Sequence, residues 1–406
     1  MKKVIVLGQG YVGLPVAVEI AKAGFKVFGF DIDSEKISKL NQGLTDSPDV
    51  TKQEILDLKS DGKLEFTSQI PHTGKSTIFV ITVPTPLKAD QSPDLTMLEN
   101  ACKLIASVID DDSLVINEST SFIGTLRNFI KPIIENDSGK LNLKFAVAPE
   151  RIDPGSKNWG VTNTPRNVSG LSQIAIKEAM EFYSKFCMVV KAASQPEVVE
   201  AAKLFENTFR QVNIALVNEF SQISRKFNFT AHEAIDLAAS KPFGFMAFYP
   251  GIGVGGHCIP VDPSYLVYSA EISGIEPKII TTANEINNLM PTKVVNVIKD
   301  KFDNNLQGKR IQLAGISYKM NISDLRESPS LVLMSELKKL GAVVTWFDPL
   351  VDSHYGEKSK QLEPDVDLGL IITPHDSIDF SIWLKHGTLV FDLSSTPKNY
   401  GWPKFL

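Results

Sequence analysis

The chain has 406 residues, which is too long for one compact domain and predicts two or three. Its formal net charge is −5 and it has no long basic run, so a nucleic-acid partner is not expected. No uncharged apolar stretch reaches the ~20 residues that span a bilayer, so no membrane segment is expected. Three cysteines far apart in the sequence do not form a disulfide framework, and they favour a reducing, cytoplasmic compartment.

The first half of the chain alternates apolar strands with helices. A strand at residues 4–7 is followed by a helix at 12–23 and by a second strand at 26–30. Later strands are predicted at residues 76–82, 114–117 and 145–148. Because strands that alternate with helices indicate a parallel sheet, residues 1–194 are predicted to form a Rossmann-like domain.

The pattern becomes helical near residue 195. Residues 197–227 and 231–240 have helical periodicity, and a loop rich in glycine and proline follows at 242–263. From residue 301 the α/β pattern returns, without the glycine-rich turn of the first block. Its predicted elements are a helix at 331–340 and strands at 310–316, 343–347, 368–373 and 388–392. We therefore predict an α/β protein with Rossmann-like domains at 1–194 and 301–406, joined by a helical central domain at 195–300.

A glycine-rich turn joins the first predicted strand to the first helix. Residues 8–13 read Gly-Gln-Gly-Tyr-Val-Gly, in which Gly8 permits the tight turn, Gly10 lets a pyrophosphate approach, and Gly13 allows close helix–strand packing. Asp31 ends the second strand, where a carboxylate binds ribose hydroxyls and repels a 2′-phosphate, so NAD is predicted rather than NADP. The predicted cofactor contacts are Gly8, Gly10, Tyr11, Val12, Gly13 and Asp31. A purely structural turn with a surface aspartate is the alternative.

A further cofactor contact is predicted from Val83-Pro84-Thr85-Pro86, a loop at the carboxyl end of a predicted strand. Thr85 is the candidate residue in this loop. Ordinary turn chemistry is an equally good interpretation, because proline-rich turns are common.

The segment at residues 248–263 is the most informative part of the chain. It reads Phe-Tyr-Pro-Gly-Ile-Gly-Val-Gly-Gly-His-Cys-Ile-Pro-Val-Asp-Pro, with four glycines shortly before Cys258. Glycines leave a backbone uncrowded, so that a ligand can approach closely. With a histidine and Asp262 beside it, Cys258 is predicted to be a covalent nucleophile. Cys102 and Cys187 lie in apolar helical surroundings and are interpreted as inert buried thiols.

Lys203 and Asn207 lie four residues apart in the predicted central helix and therefore project from one face. Most such pairs are simply solvated. Together with the cysteine segment, however, an ammonium and an amide are suitable donors to the oxyanion that forms when a thiol attacks a carbonyl carbon. We predict that both residues stabilise this oxyanion.

Several motifs resemble those of the UDP-glucose/GDP-mannose dehydrogenase family, and the resemblance covers essentially the whole chain. The motifs are the Gly-x-Gly-x-x-Gly turn, Glu118-Ser119-Thr120, Pro149-Glu150-Arg151, Lys203-x-x-x-Asn207, Gly-Gly-His-Cys258 with Asp262, and residues 315–326, which read GISYKMNISDLR. The resemblance implies a homodimeric or larger enzyme that oxidises the C6 alcohol of a UDP-sugar to a carboxylate with two molecules of NAD. It also implies that the domain at 195–300 provides dimerisation and catalysis and that the domain at 301–406 binds the UDP-sugar. A thiol adduct would supply the tetrahedral carbon that the second oxidation requires.

The resemblance also implies individual roles. The implied catalytic residues are Cys258, Lys203, Asn207, Asp262, Glu150 and Thr120. The cysteine would form a thiohemiacetal and then a thioester, Asp262 and Thr120 would place water, and Glu150 would assist hydrolysis of the thioester. Thr120 and Arg326 are implied as further cofactor contacts. The implied substrate contacts are Arg151, Lys203, Asn207, Arg210, Tyr249, Gly253, Gly255 and Lys319, and no metal is implied. For Lys319 and Arg326 an exposed, solvated charge is the alternative.

Two departures from the UDP-glucose branch bear on the sugar. That branch has a second glutamate four residues after the position of Glu150, where this chain has Pro154. It also supplies an arginine across the dimer from a stretch that here reads Lys241-Pro242-Phe243-Gly244-Phe245. Both features resemble enzymes that oxidise UDP-N-acetylhexosamines, with UDP-N-acetylglucosamine favoured, for surface-polysaccharide precursors. UDP-N-acetylmannosamine and UDP-glucose are the alternatives.

Two other classes of protein share parts of this pattern. A two-electron hydroxyacid dehydrogenase has a similar N-terminal fold and a helical Lys/Asn pair, but it has no use for Cys258 and yields one NADH per substrate. A non-catalytic dinucleotide sensor needs the glycine turn but not the cysteine, so its activity would survive a Cys258→Ala substitution.

Overall fold

The computed structural model describes residues 2–45, 47–72, 74–152, 158–256 and 259–406. The chain divides into two compact units. The first holds Met1–Glu206 and Ser264–Ser273, and the second holds Asn207–Pro263 and Gly274–Leu406. Within the described ranges, no helix combines the length and the apolar character needed to cross a membrane.

The elements of the first unit alternate as expected for an α/β domain. In chain order they are β1 (Lys3–Leu7), α1 (Gly13–Lys22), β2 (Lys26–Phe30), α2 (Ser34–Asn41), α3 (Lys52–Ser60), β3 (Leu64–Thr67), β4 (Ile78–Ile81), α4 (Thr96–Val108), β5 (Leu114–Asn117), a π-helical turn (Leu126–Ile130), α5 (Lys131–Ser138), β6 (Lys144–Val147), β7 (Arg166–Gly170), α6 (Gln173–Tyr183) and β8 (Val190–Ala192).

The strands of this unit form one sheet in the order β3-β2-β1-β4-β5-β6-β7-β8. Neighbouring strands are parallel from β3 to β6, whereas β7 runs antiparallel to β6. All residues of β4 and β5 are buried, as a parallel sheet covered on both faces requires. The strand order reverses between β1 and β4, and a crevice for ligands opens at the carboxyl ends of strands at such a point.

The chain continues through five helices: α7 (Pro196–Lys226), α8 (Ala231–Ala239), α9 (Asp262–Ile272), α10 (Lys278–Asn288) and α11 (Met290–Lys301). The last elements are β9 (Arg310–Ala314), α12 (Pro329–Lys339), β10 (Val343–Phe347), β11 (Ser353–His354), β12 (Glu357–Lys358), β13 (Leu368–Ile371), α13 (Ser381–His386) and β14 (Val390–Asp392). A second parallel sheet has the order β10-β9-β13-β14. The predicted α/β fold with a helical middle is thus confirmed, with a second sheet that is parallel throughout and a first sheet that is parallel except between β6 and β7.

Candidate active site

The three glycines of the β1–α1 turn have different surroundings. Gly8 has a φ of +94°, and a Cβ there would lie 2.8 Å from the carbonyl oxygen of Thr82. At Gly13 a Cβ would lie 1.9 Å from the oxygen of Gly8, so a side chain would push the helix away from the turn. At Gly10 no described atom beyond the chain neighbours comes within 4 Å of such a Cβ. This open space is where a pyrophosphate would approach the backbone, so the turn fits NAD.

Thr82 stabilises the same turn, although it was not among the residues predicted from the sequence. It directly follows β4, and its Oγ1 lies 2.8 Å from the oxygen of Leu7 and 2.9 Å from the oxygen of Gly8. The hydroxyl therefore ties β4 to β1 at the point where the strand order reverses. A threonine at the end of an apolar run was the available signal, but such residues are common in strands.

The carboxylate of Asp31 is held by three donors. Its Oδ2 accepts hydrogen bonds from the backbone N–H of Gln9 and from Nζ of Lys36, both at 2.9 Å, and its Oδ1 accepts one from the N–H of Asp33 at 3.0 Å. Asp31 is thereby oriented beside the glycine turn, and the interpretation as an ordinary surface aspartate does not fit its burial. Sequence reasoning did not identify Lys36, although it lies in the first turn of α2.

A cavity of about 490 Å³ adjoins this carboxylate. Its lining residues come from the β1–α1 turn, from α2 and from the loop after α2: Gln9, Gly10, Tyr11, Leu14, Lys36, Lys39, Leu40, Leu44, Thr45 and Ser47. Predicted contact Tyr11 therefore lines the cavity, whereas Val12 caps the start of α1 and packs against the core. Of the two lysines that line the cavity, Lys36 pairs with Asp31 and Lys39 pairs with Glu35.

We expect Asp31→Ala to raise kcat/KM with NADP relative to NAD by about tenfold or more. The substitution removes the repulsion of a 2′-phosphate and leaves the Lys36 ammonium without this acceptor. Initial rates with both cofactors measure the ratio. Glu181→Ala, an exposed change on α6 of the same unit, is the control and should leave the ratio unchanged. An unchanged ratio in Asp31→Ala would show that Asp31 does not select the cofactor.

The loops after β4 and β5 come together near this crevice. Ser119 donates a hydrogen bond from Oγ to the oxygen of Val83 at 2.8 Å. This bond joins the loop that contains Thr85, which is buried, to the loop that contains Thr120, which is partly buried. The carbonyl oxygen of Thr85 accepts a hydrogen bond from the hydroxyl of Tyr265 at 3.1 Å. The contact of Thr85 and Thr120 with the cofactor stays a prediction.

A buried ionic network lies behind these loops. Arg166, at the start of β7, donates from one terminal nitrogen to Glu118 at 3.1 Å and from the other to Glu150. Tyr183 donates its hydroxyl to the second oxygen of Glu118. Burial raises the pKa of Glu118, Arg166 opposes this shift, and the neighbouring Glu150 adds to it. Two buried carboxylates therefore depend on a single guanidinium.

Glu150 is fixed further by its own backbone. Its Oε1 accepts hydrogen bonds from the N–H groups of Arg151 and Ile152, both at 2.6 Å. The structure therefore shows Glu150 as a carboxylate oriented by Arg166. Neither Arg166 nor Tyr183 was found in the sequence, because they lie 16 or more residues from their carboxylate partners.

Arg151, a predicted substrate contact, already has an anionic partner. Its Nε and one terminal nitrogen donate to the two carboxylate oxygens of Glu206 at 2.9 and 2.6 Å, and its other terminal nitrogen donates to the oxygen of Pro165 at 2.9 Å. Such a bidentate pair holds a guanidinium in one orientation. Any role of Arg151 in substrate binding stays a prediction and would start from this paired state.

Glu200 on α7 fastens the loop that follows Thr120. Its two carboxylate oxygens accept hydrogen bonds from the N–H groups of Gly124 at 2.6 Å and Leu126 at 2.9 Å. Burial raises its pKa from 4.5 to about 7, although these two hydrogen bonds oppose the shift. Glu200 lies about one helical turn before Lys203 in α7, and the side chain of Lys203 is partly buried.

This raised pKa predicts a pH dependence of stability. Between the ordinary value of 4.5 and about 7 the folded chain binds more protons at Glu200 than the unfolded chain does. The free energy of unfolding should therefore fall as pH rises through this window. In Glu200→Gln the free energy of unfolding should fall less across this window. Any destabilisation by the glutamine itself is independent of pH and does not change the slope. Urea unfolding at about pH 5 and about pH 8 measures the slope.

The control for this slope is Glu197→Gln in the same helix. A hydrogen bond from Arg127 lowers the pKa of Glu197 from its ordinary value of 4.5, so its contribution changes only at more acidic pH and Glu197→Gln should leave the slope between about pH 5 and about pH 8 unchanged. An identical pH slope in wild type and Glu200→Gln would contradict the assignment to Glu200.

In the second unit the structure brings two predicted catalytic residues together. Asn207 of α7 donates from Nδ2 to Oδ2 of Asp262, at the start of α9, across 2.6 Å. Both side chains are buried, with exposed fractions of 8% and 0%. Arg210 follows in α7 with an exposed side chain. Cys258 and His257 lie outside the described residues, as does Pro154.

The glycines before the cysteine have a different surrounding from the one that was predicted. A Cβ at Gly253 would lie 2.9 Å from the oxygen of Asn287, and one at Gly255 would lie 2.7 Å from the Cβ of Tyr318. At Gly256 it would lie 2.6 Å from the ring of Tyr318. At these positions protein atoms occupy the space that was expected to admit a ligand. The glycines instead allow this loop to pack on the end of α10 at Gly253 and on the segment after β9 at Gly255 and Gly256. The contact of Gly253 and Gly255 with the substrate stays a prediction.

The remaining predicted substrate and cofactor contacts of this unit are also engaged. The hydroxyl of Tyr249 donates to Asp236 at 2.6 Å, and this bond raises the pKa of Tyr249 to about 12. Arg326 is half exposed and donates from Nε and a terminal nitrogen to Asp324 at 3.0 and 2.6 Å. Lys319 is partly buried in the turn that follows β9. Arg326 is thus an exposed charge in a local ion pair, and the contacts of Arg326 with the cofactor and of Lys319 with the substrate stay predictions.

The second sheet repeats the turn of the first sheet, which sequence reasoning did not recognise. Gly315 has a φ of +82° and donates its N–H to Phe347 at 2.8 Å, just as Gly8 donates to Phe30 at 2.8 Å. The next N–H, of Ile316, donates to Asp348 at 2.9 Å. A glycine after one strand and an aspartate after the next were the available signal. The second unit is therefore a Rossmann-like fold that keeps only part of the glycine pattern.

Comparison with known proteins decides the family. Models of the UDP-glucose/GDP-mannose dehydrogenase family match in three parts: the NAD binding domain at residues 2–187, the central domain at 197–289 and the UDP binding domain at 312–396. The chain belongs to this family. It is an NAD-dependent nucleotide-sugar 6-dehydrogenase, and the glycine turn of its first unit fits the cofactor. Among the described residues no cluster of His, Cys, Asp and Glu could hold a metal.

Individual relatives differ in the sugar that their names give. A UDP-N-acetyl-D-glucosamine 6-dehydrogenase of Pseudomonas aeruginosa is 37% identical over 86% of this chain and 83% of its own. A UDP-N-acetyl-D-mannosamine dehydrogenase of Pyrococcus horikoshii is 34% identical over 94% and 91%. The solved structure of a UDP-D-ManNAc dehydrogenase from the latter organism matches with a TM-score of 0.88 at 31% identity, covering 99% of this chain and 97% of that one.

Proposed function

We propose that the enzyme oxidises the C6 alcohol of UDP-N-acetylglucosamine to the uronic acid in two steps that pass through a covalent adduct of Cys258. The buried hydrogen bond between Asn207 and Asp262 carries the proposal, because it places an amide donor and a carboxylate together next to the cysteine segment. The product is an acidic sugar donor of the kind that surface polysaccharides require. A cytoplasmic location fits the unpaired thiols of Cys102 and Cys187.

The first oxidation turns the C6 alcohol into an aldehyde. The Cys258 thiolate then adds to C6, so that a C–S bond forms and the carbonyl oxygen becomes an oxyanion. Lys203 and Asn207 would stabilise this charge as donors. Asp262 accepts one N–H of the Asn207 amide, which orients the other N–H for this task. NAD, when bound, accepts a hydride from C6 in each of the two oxidations.

The second oxidation leaves a thioester at C6, which water must hydrolyse. Water adds to the thioester carbon, the C–S bond breaks, and the thiolate and the sugar carboxylate are released. Asp262 and Thr120 would place and activate this water, and Glu150 would assist hydrolysis. Arg166 and two backbone N–H groups determine the orientation of Glu150. The overall reaction consumes one water and yields two NADH per sugar.

We expect UDP-N-acetylglucosamine to give the highest kcat/KM, ahead of UDP-N-acetylmannosamine and UDP-glucose. Phe243 lies where the UDP-glucose branch has an arginine, and its ring is 69% exposed with Nζ of Lys241 4.7 Å from the ring centroid. An exposed aromatic ring at this position suits the N-acetyl group of the sugar better than an arginine side chain would. NADH production against the three UDP-sugars, with NADH counted per sugar, tests this.

A clear preference for UDP-glucose would contradict the proposal, and one NADH per sugar would indicate a two-electron dehydrogenase instead. UDP-N-acetylmannosamine is the second candidate, because a dehydrogenase named for that sugar shares 34% identity with the chain and a solved structure named for it shares the fold.

We also propose that the enzyme is a homodimer through α7. Within the second unit this helix exposes large apolar side chains at intervals of seven residues, namely Phe209, Leu216 and Ile223. This spacing keeps them on one face, and a second copy would bury it. The mass from light scattering on a size-exclusion column distinguishes a dimer of the 44.7 kDa chain from a monomer.

A further inference from the structure

His375 is buried and has hydrogen bonds at both ring nitrogens. The backbone N–H of Asn321 donates to its Nδ1 at 2.9 Å, so Nδ1 is the unprotonated nitrogen. Its Nε2 therefore carries the hydrogen, and lies 3.1 Å from Oδ2 of Asp348 and 2.9 Å from Oγ of Ser317. The geometry thus determines the tautomer of the imidazole.

Asp348 is a fixed anchor for this imidazole. The same Oδ2 accepts hydrogen bonds from the N–H groups of Ile316 at 2.9 Å and Ser317 at 3.1 Å. Burial opposes ionisation of Asp348, but hydrogen bonds from His375 and from the N–H groups of Leu350 and Ile316 hold its pKa below the usual value. In the first unit the corresponding Asp31 lies beside an open cavity, whereas Asp348 is directed into the protein.

The imidazole and its anchor together fasten the turn at residues 317–321. At one end, the oxygen of Ser317 accepts a hydrogen bond from Oγ1 of Thr373 at 2.6 Å. At the other end, Asn321 has a φ of +63° and exchanges hydrogen bonds with Asp376 at 2.8 and 3.1 Å. The turn between these ends carries Tyr318 and Lys319.

Tyr318 connects this turn to the cysteine segment. Its side chain fills the space that a Cβ would need at Gly255 and at Gly256. The N–H of Gly256 also donates to the oxygen of Arg326 at 3.0 Å. Gly256 precedes Cys258 by two residues. A displacement of the turn would therefore affect both Lys319 and the backbone that leads to the nucleophile.

We infer that His375 is a positioning residue for the UDP-sugar: it holds the Tyr318–Lys319 turn in register with the cysteine segment through the N–H of Asn321. This inference rests on the proposed function, in which Cys258 attacks the substrate, and on the predicted contact of Lys319 with the UDP-sugar. His375 itself touches neither the substrate nor the reacting atoms.

The test compares three replacements of His375 in the full-length enzyme. Asparagine places an acceptor where Nδ1 was, glutamine places a donor where Nε2 was, and leucine supplies neither. We expect KM for UDP-N-acetylglucosamine to rise by about tenfold or more in His375→Leu and His375→Gln, because the N–H of Asn321 loses its acceptor. His375→Asn should restore most of the lost affinity, and KM for NAD should change less than about twofold in all three.

His386→Asn, in an exposed position of the same unit, is the control and should behave as wild type. If His375→Leu does not fold, the contrast between asparagine and glutamine still decides the question. Equal KM values for the UDP-sugar in those two variants, or a parallel rise of KM for NAD, would overturn the inference. Calorimetric binding of UDP to wild type and to the variants separates this failure from that of the proposed function, because it requires no oxidation.

Discussion

Replacing Cys258 by serine is expected to lower turnover of the UDP-sugar by several orders of magnitude while leaving the fold and NAD binding intact. A hydroxyl is a far weaker nucleophile than a thiolate near neutral pH, so the adduct needed for the second oxidation would form slowly. Any ester that did form would be hydrolysed less readily than a thioester. Steady-state NADH production measures the loss, and intact mass spectrometry would detect a trapped acyl-enzyme.

Cys102→Ala is the matched control for this loss. Cys102 is fully buried in α4, and burial raises the pKa of its thiol to about 12, so it cannot supply a thiolate. The Cys102→Ala variant should still yield two NADH for each sugar oxidised. Near-native oxidation to the carboxylate by Cys258→Ser would refute the thiol mechanism, and Cys258 would then be a packing residue.

Replacing Arg166 by methionine is expected to destabilise the enzyme by about 3–5 kcal/mol. Methionine fills much of the volume of the side chain, but Glu118 and Glu150 lose their shared cation while they remain buried. The loss should be smaller at acidic pH, where the two carboxylates can be protonated. The midpoint of urea unfolding, followed by circular dichroism, measures the change.

Arg127→Met provides the comparison for a surface ion pair. Arg127 pairs with Glu197 on the surface, where such pairs contribute ~0–1 kcal/mol. Adding Glu118→Gln to Arg166→Met should recover part of the stability, because one of the two buried charges is then absent. A loss in Arg166→Met no larger than that in Arg127→Met would show that the network does not depend on this guanidinium.

The sequence by itself determined the features that depend on residues close together in the chain. The turn from β1 to α1 and the position of Asp31 after β2 follow from glycine conformations and strand periodicity within one βαβ unit. The predicted strand at 26–30 agrees with the structure at both ends. The long helix of the middle was likewise predicted within one residue at each end.

Only the tertiary structure decided which polar side chains meet. Arg166 reaches Glu118 across 48 residues because β5, β6 and β7 are neighbours in the sheet, and Asn207 reaches Asp262 across 55 residues. It also explained two of the glycines before Cys258, because Gly255 and Gly256 pack against Tyr318. Local sequence carries backbone preference and periodicity, whereas strand order and packing determine which charges share a buried site, and no short-range pattern encodes that order.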